Sequence, residues 1–415
     1  MNLLLHSPFI IHHSQLKLTG SKSETNRLLL LRALYPNISL ENTSNSDDSE
    51  VLSKALHSPF IIHNSQLVDV HHAGTAMRFL TAFFAIQEGK EVVLTGSSRM
   101  KERPIKILVE ALNQLGAEIT YQEKAGFPPI SIKGKKLSKN KVSLSANVSS
   151  QYVSALLLIA PKLENGLELT LEGEMTSLPY IQMTLALLNA IGVETSFFDS
   201  KIFVKPTTYD LQPTILTIES DWSSASYWYS IIALSNLGTE ITLSSYKKNS
   251  LQGDAVLVEI YKNFGVETIF NENNSITIIK SSTQNLHTIT YNLNHSPDLA
   301  QTLAVTCFGL GIACDLYGLH TLKIKETDRL EALKTELTKL GATVSVTNDS
   351  LHLKAKTIIN KGITISTYQD HRMAMAFAPL ALKTTIGIEQ AEVVSKSYPT
   401  FWDDLKKIGF IIEEE

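Results

Sequence analysis

The sequence predicts an α/β protein assembled from six similar units of roughly 70 residues each. Three observations predict it. A helical stretch, a glycine and a short β-branched strand recur along the chain. The glycines that close these helices, Gly116, Gly192, Gly265, Gly341 and Gly409, lie 76, 73, 76 and 68 residues apart. The 415 residues are 43% apolar and 19% charged, an ordinary globular composition with length for about two to three domains.

The clearest copies are residues 109–119 around Gly116 and residues 187–195 around Gly192. Others end at Gly265-Val266-Glu267-Thr268, Gly341-Ala342-Thr343-Val344 and Gly409-Phe410-Ile411-Ile412. Each glycine suits the position just after a helix, where positive φ is required. A sixth copy has no glycine: a helix over 51–56 precedes the apolar run 60–62. Between copies, 167–171 and 241–243 read as strands, and 25–35, 150–160 and 223–234 as helices. The apolar run 303–314 reads as a buried helix holding both cysteines, Cys307 and Cys314, as structural thiols.

Composition excludes several functions. The formal net charge of −4 opposes nucleic-acid binding. Two cysteines allow neither a disulfide framework nor a four-cysteine zinc site. No run of 18 apolar residues reads as a membrane helix, and the apolar start is too short for a signal peptide, so a cytoplasmic protein is expected. Residues 5–16 and 56–67 are identical except for His13 against Asn64, which reads as a local duplication without a function of its own. The adjacent pairs His12-His13 and His71-His72 would diverge on a strand, and no His-Glu-x-x-His spacing occurs, so no metal site is expected.

Chemistry concentrates where helices begin. Lys or Arg at that end is unfavourable for the helix itself, so a set of such residues points to a bound anion. Thr19-Gly20-Ser21-Lys22-Ser23-Glu24-Thr25-Asn26-Arg27 places a glycine turn, hydroxyl caps and two cations before a helix. It is not a Walker loop. Similar openings are His72-Ala73-Gly74-Thr75-Ala76-Met77-Arg78 and Asn147-Val148-Ser149-Ser150-Gln151. Arg99-Met100-Lys101-Glu102-Arg103-Pro104 has Pro104 suited to a first helical turn. Thr176-Ser177-Leu178-Pro179, Lys325-Glu326-Thr327-Asp328-Arg329, Gln369-Asp370-His371-Arg372 and Ser395-Lys396-Ser397 complete the set.

In this order, the motifs built on Gly20 to Arg27, Gly74 to Arg78, Arg99 to Pro104, Lys325 to Arg329 and Asp370 to Ala374 closely resemble those of the EPSP synthase family, the 3-phosphoshikimate 1-carboxyvinyltransferases. The resemblance runs from about Gly20 to the C-terminus. It implies two similar domains, each of three βαβαββ units with helices inside and sheets outside. Residues 1–19 with 220–415 would form one domain and 20–219 the other, with the active site in the cleft between them.

The resemblance also implies a reaction. Phosphoenolpyruvate and shikimate 3-phosphate would give 5-enolpyruvylshikimate 3-phosphate and phosphate, without metal or organic cofactor, in a monomer. Lys22, Ser23, Arg27, Ser149, Ser150, Gln151, Ser177, Asp298 and Lys325 resemble the shikimate 3-phosphate ligands. Lys22, Gly74, Arg103, Gln151, Arg329, Arg372 and Lys396 resemble those of phosphoenolpyruvate. Asp298 matches the base at the 5-hydroxyl. Glu326, aided by Lys22, matches the residue exchanging a proton at the enol methylene. Arg78 is an eighth cation that could meet the anions. Gly74 would leave room for glyphosate in the phosphoenolpyruvate pocket.

Four positions depart from the family pattern: His72 and Thr321 stand where asparagine is frequent, Phe79 where proline is, and Trp222 where a small residue is. Two alternatives have specific discriminators. The sister transferase acting on UDP-N-acetylglucosamine carries a reactive loop cysteine and lacks the Ser-Lys-Ser-x-x-Asn-Arg segment. A non-catalytic anion-binding relative would lack the carboxylates at 298 and 326.

Overall fold

Six helices in this chain are buried along most of their length, all but Lys22–Leu34 through mainly apolar side chains, and such helices must be covered all round. In the computed structural model, described over residues 1–6, 11, 14–57, 66–145, 149–173, 175, 177–207, 212–283 and 288–415, these helices form the centres of two compact units. Lys22–Leu34, Gly74–Ala85 and Ser150–Ile159 belong to residues 22–218. Trp222–Leu234, Ala300–Leu310 and His371–Phe377 belong to residues 1–21 with 219–415. Within the first unit Gly74–Ala85 packs on Ser150–Ile159, and within the second Ala300–Leu310 packs on both of its neighbours.

The strands show the opposite pattern. Lys141–Ser145 buries Val142 and Leu144 and exposes Lys141, Ser143 and Ser145. Lys201–Val204 buries Ile202 and Val204 and exposes the other two. Such alternation leaves one sheet face in water. Helices therefore lie inside each unit and sheets outside.

Five sheets share one topology, in which the first two strands pair in parallel and the hairpin of the last two adds antiparallel, in spatial order 1-2-4-3. Gln66–Asp69, Glu91–Thr95, Ile130–Lys133 and Glu118–Tyr121 form one such sheet. The helix Gly74–Ala85 makes its parallel crossover. Lys141–Ser145, Leu167–Glu172, Lys201–Val204 and Thr195–Phe198 repeat it around Ser150–Ile159. Thr288–Asn292, Ala313–Tyr317, Leu351–Leu353 and Val344–Val346 do so around Ala300–Leu310. The last sheet takes its fourth strand from the N-terminus: Leu3–His6 lies between Ile386–Ile388 and Ile411–Glu414.

Two of the six sheets, the fifth four-stranded one and a two-stranded one, exchange first strands. Ser14–Leu16 precedes the helix Lys22–Leu34 but pairs in parallel with Glu240–Ser244. Thr214–Thr217 precedes the helix Trp222–Leu234 but pairs in parallel with Ile38–Glu41. The chain thus passes between units twice, after Ser21 and after Ile218. These points lie two residues and one residue from the boundaries expected at 19/20 and 219/220. The reason is local pairing: Gly20 bridges Ser220, the Ser21 N–H donates to Glu219 O at 2.7 Å, and Ser220 Oγ donates to Leu18 O at 2.8 Å.

The five repeat glycines all have positive φ, from 71° to 106°. Four follow the helix cap directly, and Gly265 comes one residue later, after Phe264. Other expectations are corrected. Gly20 takes the bridge to Ser220 rather than a positive-φ turn. The first central helix begins at Lys22, not Thr25. Pro104 lies outside its helix, which starts at Lys106 after Ile105. Cys314 is on a strand, because Gly311 at φ 73° stops the helix that carries Cys307; both thiols are buried. His12, His13, the run 60–62, Asn147, Val148, Thr176 and much of the duplicated segment fall outside the described residues. Among the described residues no helix is long and apolar enough to cross a membrane.

Candidate active site

Each central helix begins just beyond a parallel strand, at the end where α/β folds place ligands and where backbone N–H groups are unpaired. In the unit 22–218, these starts carry Lys22 and Ser23, then Gly74 and Thr75, then Ser149, Ser150 and Gln151. Ser149 caps its helix by accepting the Gln151 N–H at 3.4 Å. Gln151 Nε2 donates to Thr75 Oγ1 at 3.1 Å, joining two of the helix ends. Lys22 Nζ lies 3.4 Å from Asp48 Oδ2. Ser177, the residue before the helix Leu178–Ala190, has a left-handed φ of 54°, and its hydroxyl makes no capping bond.

The arginines of this unit have distinct surroundings. Arg27 is buried and donates to Thr184 Oγ1 at 2.8 Å, Ser23 O at 2.8 Å, Ser154 Oγ at 2.9 Å and Tyr180 O at 3.3 Å. Its guanidinium also stacks on Phe79 and Tyr180. Burial lowers its pKa to about 10, against the opposing pull of Tyr180 and Glu24. It thus fixes Ser23 and the start of the Ser177 helix more than it reaches outward. Arg78 is likewise buried and donates to Pro104 O at 2.8 Å and Gly74 O at 3.3 Å. Tyr152 donates to the same Pro104 carbonyl at 2.6 Å. Burial, then the neighbouring Arg103 charge, lowers the Arg78 pKa to about 10. Arg78 therefore anchors the segment carrying Arg103. Arg103 lies against Gly74, and its buried Nε has no hydrogen-bond partner among the described residues.

The other unit gathers charge around one carboxylate. Asp298, just before the helix Ala300–Leu310, accepts Arg329 Nη1 on Oδ1 at 2.8 Å and Arg372 Nη2 on Oδ2 at 2.9 Å. Lys325 Nζ stands 3.7 Å from Oδ1. Arg329 is 2% exposed and also donates to Glu326 Oε2 at 2.8 Å and Asp370 Oδ2 at 2.6 Å. Asp370 caps its helix through the Arg372 N–H at 2.8 Å, so one carboxylate fixes both arginines. Burial alone would push the Asp298 carboxyl up; Arg372, Lys325 and Arg329 outweigh it and hold the group far below the usual carboxylate range. Burial alone would weaken the Arg329 charge; Asp370, Glu326 and Asp298 outweigh it and raise its pKa. Lys396 Nζ donates at 2.7 Å to Gln369 O, which a left-handed turn at Tyr368 and Gln369 presents.

All the expected residues of this unit except Lys396 are brought together by these bonds. In the other unit Lys22 and Ser23 adjoin Arg27, Gly74 adjoins Arg103, and Gln151 adjoins Thr75. The cations are not bare, as their places at helix starts suggested: Lys22, Lys325, Arg329 and Arg372 face carboxylates. Sequence reasoning did not single out Asp48, Thr75, Ser223, Asp254 or Asp370 as site residues. Thr75 and Asp370 had a signal, since each lies inside one of the helix-start motifs.

The sequence model of the family described as EPSP synthase (3-phosphoshikimate 1-carboxyvinyltransferase) matches residues 36–405. The chain belongs to the EPSP synthase family. It is 45% identical over 418 residues to a 3-phosphoshikimate 1-carboxyvinyltransferase of Bacteroides fragilis, covering 100% of this chain and 99% of that protein. With one of Haemophilus influenzae identity is 34%, covering 98% and 99%. The EPSP synthase structure from Acinetobacter baumannii shares the fold at a TM-score of 0.79 and 21% identity, over 100% of both chains. The enolpyruvyl transferase NikO from Streptomyces tendae does so at 0.75 and 13% identity, over 99% and 98%. The two-strand swap and the six units are thus set within the EPSP synthase fold.

Proposed function

We propose that this chain transfers the enolpyruvyl group of phosphoenolpyruvate to the 5-hydroxyl of shikimate 3-phosphate, releasing phosphate, with substrates held by residues of both units. The reading is supported most by one arrangement: a partly buried carboxylate, Asp298, that two arginines share, beside Glu326 and Lys325. Lys22, Ser23, Ser149, Ser150, Gln151, Ser177, Asp298 and Lys325 bind shikimate 3-phosphate, with Arg27 setting several of them in place. Lys22, Gly74, Arg103, Gln151, Arg329, Arg372 and Lys396 bind phosphoenolpyruvate.

Glu326, aided by Lys22, protonates the methylene carbon. Positive character then develops at C2, and the 5-hydroxyl oxygen attacks there while Asp298 takes its proton. The tetrahedral adduct loses phosphate, the methyl carbon returns its proton, and the enol double bond reforms. The hydroxyl proton leaves with phosphate.

Asp298 is a poor base while three cations face it. Anionic substrate draws Arg372 and Arg329 away, so the Asp298 pKa rises when the hydroxyl is in place. The enzyme works in the cytoplasm as a monomer. The test is phosphate release, which requires both substrates together. Release from phosphoenolpyruvate alone, or none with both present, overturns the reading.

A further inference from the structure

Asp254 stands next to this machinery, and the steps above leave it unused. It lies in the short turn Gly253–Val256 and is 4% exposed. Its Oδ2 accepts the Ser223 hydroxyl. Its Oδ1 is buried and has no hydrogen-bond partner among the described residues. Ser223 Oγ accepts Arg372 Nη2 at 3.2 Å, and the same nitrogen donates to Asp298 Oδ2 at 2.9 Å. One arginine nitrogen is therefore shared by two acids, one directly and one through a hydroxyl.

We propose that Asp254 is a positioning residue which, through Ser223, sets how firmly the Arg372 guanidinium is held back from phosphoenolpyruvate. This rests on the assignment of Arg372 to that substrate. The charged groups facing Asp254 are Asp298, Arg372 and Asp221. Burial, then the Asp298 charge, pushes its carboxyl up to about 7, although Arg372 and the Ser223 bond pull it down. Below that pH Asp254 is neutral and Arg372 is freer to move to the substrate. Above it a second negative charge sits behind the guanidinium and competes for it. An orphaned oxygen in a buried site suits a carboxyl that carries a proton over part of this range.

The test is the KM for phosphoenolpyruvate between about pH 6 and pH 8.5 at saturating shikimate 3-phosphate. In the native enzyme it should rise with pH by up to about tenfold beyond what substrate ionisation causes, the change that one unit of pKa displacement allows. Asp254→Asn keeps the shape and cannot ionise, so it should lose that extra rise. Ser223→Ala cuts the link and should change KM more than kcat. An Asp254→Asn profile parallel to the native one, or a Ser223→Ala enzyme with native KM, overturns the proposal. Arg372→Lys separates the layers. If it raises KM while Asp254→Asn keeps the native profile, only this inference fails. If it leaves KM untouched, the assignment of Arg372 fails, and this inference with it.

Discussion

Gly74 lies directly against the Arg103 guanidinium: a methyl group on its Cα would stand 2.5 Å from Arg103 Nη1 and 2.7 Å from Nη2. The glycine backbone is not in the left-handed region, so alanine is opposed by the arginine and not by backbone strain. The space over Gly74, expected to admit glyphosate, belongs to Arg103. Gly74→Ala should displace that guanidinium and raise the KM for phosphoenolpyruvate by about tenfold, or ~1.4 kcal/mol. The glyphosate inhibition constant should rise with it. Steady-state kinetics check this, and an unchanged KM would show that Arg103 does not hold the substrate.

Asp298→Ala should lower kcat by at least ~10², the usual range for a general base. It also strands parts of two buried guanidinium groups, so stability should fall by about 3–5 kcal/mol. The pH dependence has a definite sign. The folded-state pKa is depressed, so the stabilisation is present above the unfolded value of about 4 and is lost as pH falls toward the folded value. Thermal melting against pH should therefore show the native enzyme losing stability in acid faster than the alanine variant. Parallel curves would contradict the ion-pair account.

Arg27→Ala should act on shikimate 3-phosphate through Ser23 and the Ser177 helix. It removes one donor each from the Ser23 and Tyr180 carbonyls and from the Thr184 and Ser154 hydroxyls, while Thr184 Oγ1 still donates to Tyr180 O and bonds Ser154 Oγ, so the loss is about 0.5–1.5 kcal/mol for each bond. Titration calorimetry should find weaker shikimate 3-phosphate binding together with a lower melting temperature. A variant impaired only toward phosphoenolpyruvate would reverse the proposed division of the ligands.

The repeat was legible because Gly116, Gly192, Gly341 and Gly409 each perform one task that other residues perform poorly. The helix holding Cys307 was legible, but its end was not, since the apolar run continues through Gly311 into a strand. Burial makes both elements apolar, and periodicity cannot separate them over so few residues. The cations were legible as a set through their motifs. Asp298 and Glu326 were legible with them; Asp48 and Asp254 were not, because Asp48 meets Lys22, and Asp254 meets Ser223, only through packing of elements distant in sequence. Arg27 and Arg78 carry the same charge as Arg103, and nothing in the sequence shows that their donors are turned onto carbonyls and hydroxyls.

The exchange of first strands bears on the order in which the chain can fold on the ribosome. Leu3–His6 needs partners at Ile386–Ile388 and Ile411–Glu414, and Ser14–Leu16 needs one at Glu240–Ser244. The unit spanning residues 22–218 has all its strands once Thr214–Thr217 has emerged. At about 5–20 residues per second, the N-terminal strands wait some tens of seconds for their partners while the inserted unit is already complete. Synthesis therefore imposes an inside-first sequence. A ribosome-bound chain stalled with residue 218 just outside the tunnel should already protect Lys22–Leu34 from protease while Leu3–His6 remains cleavable.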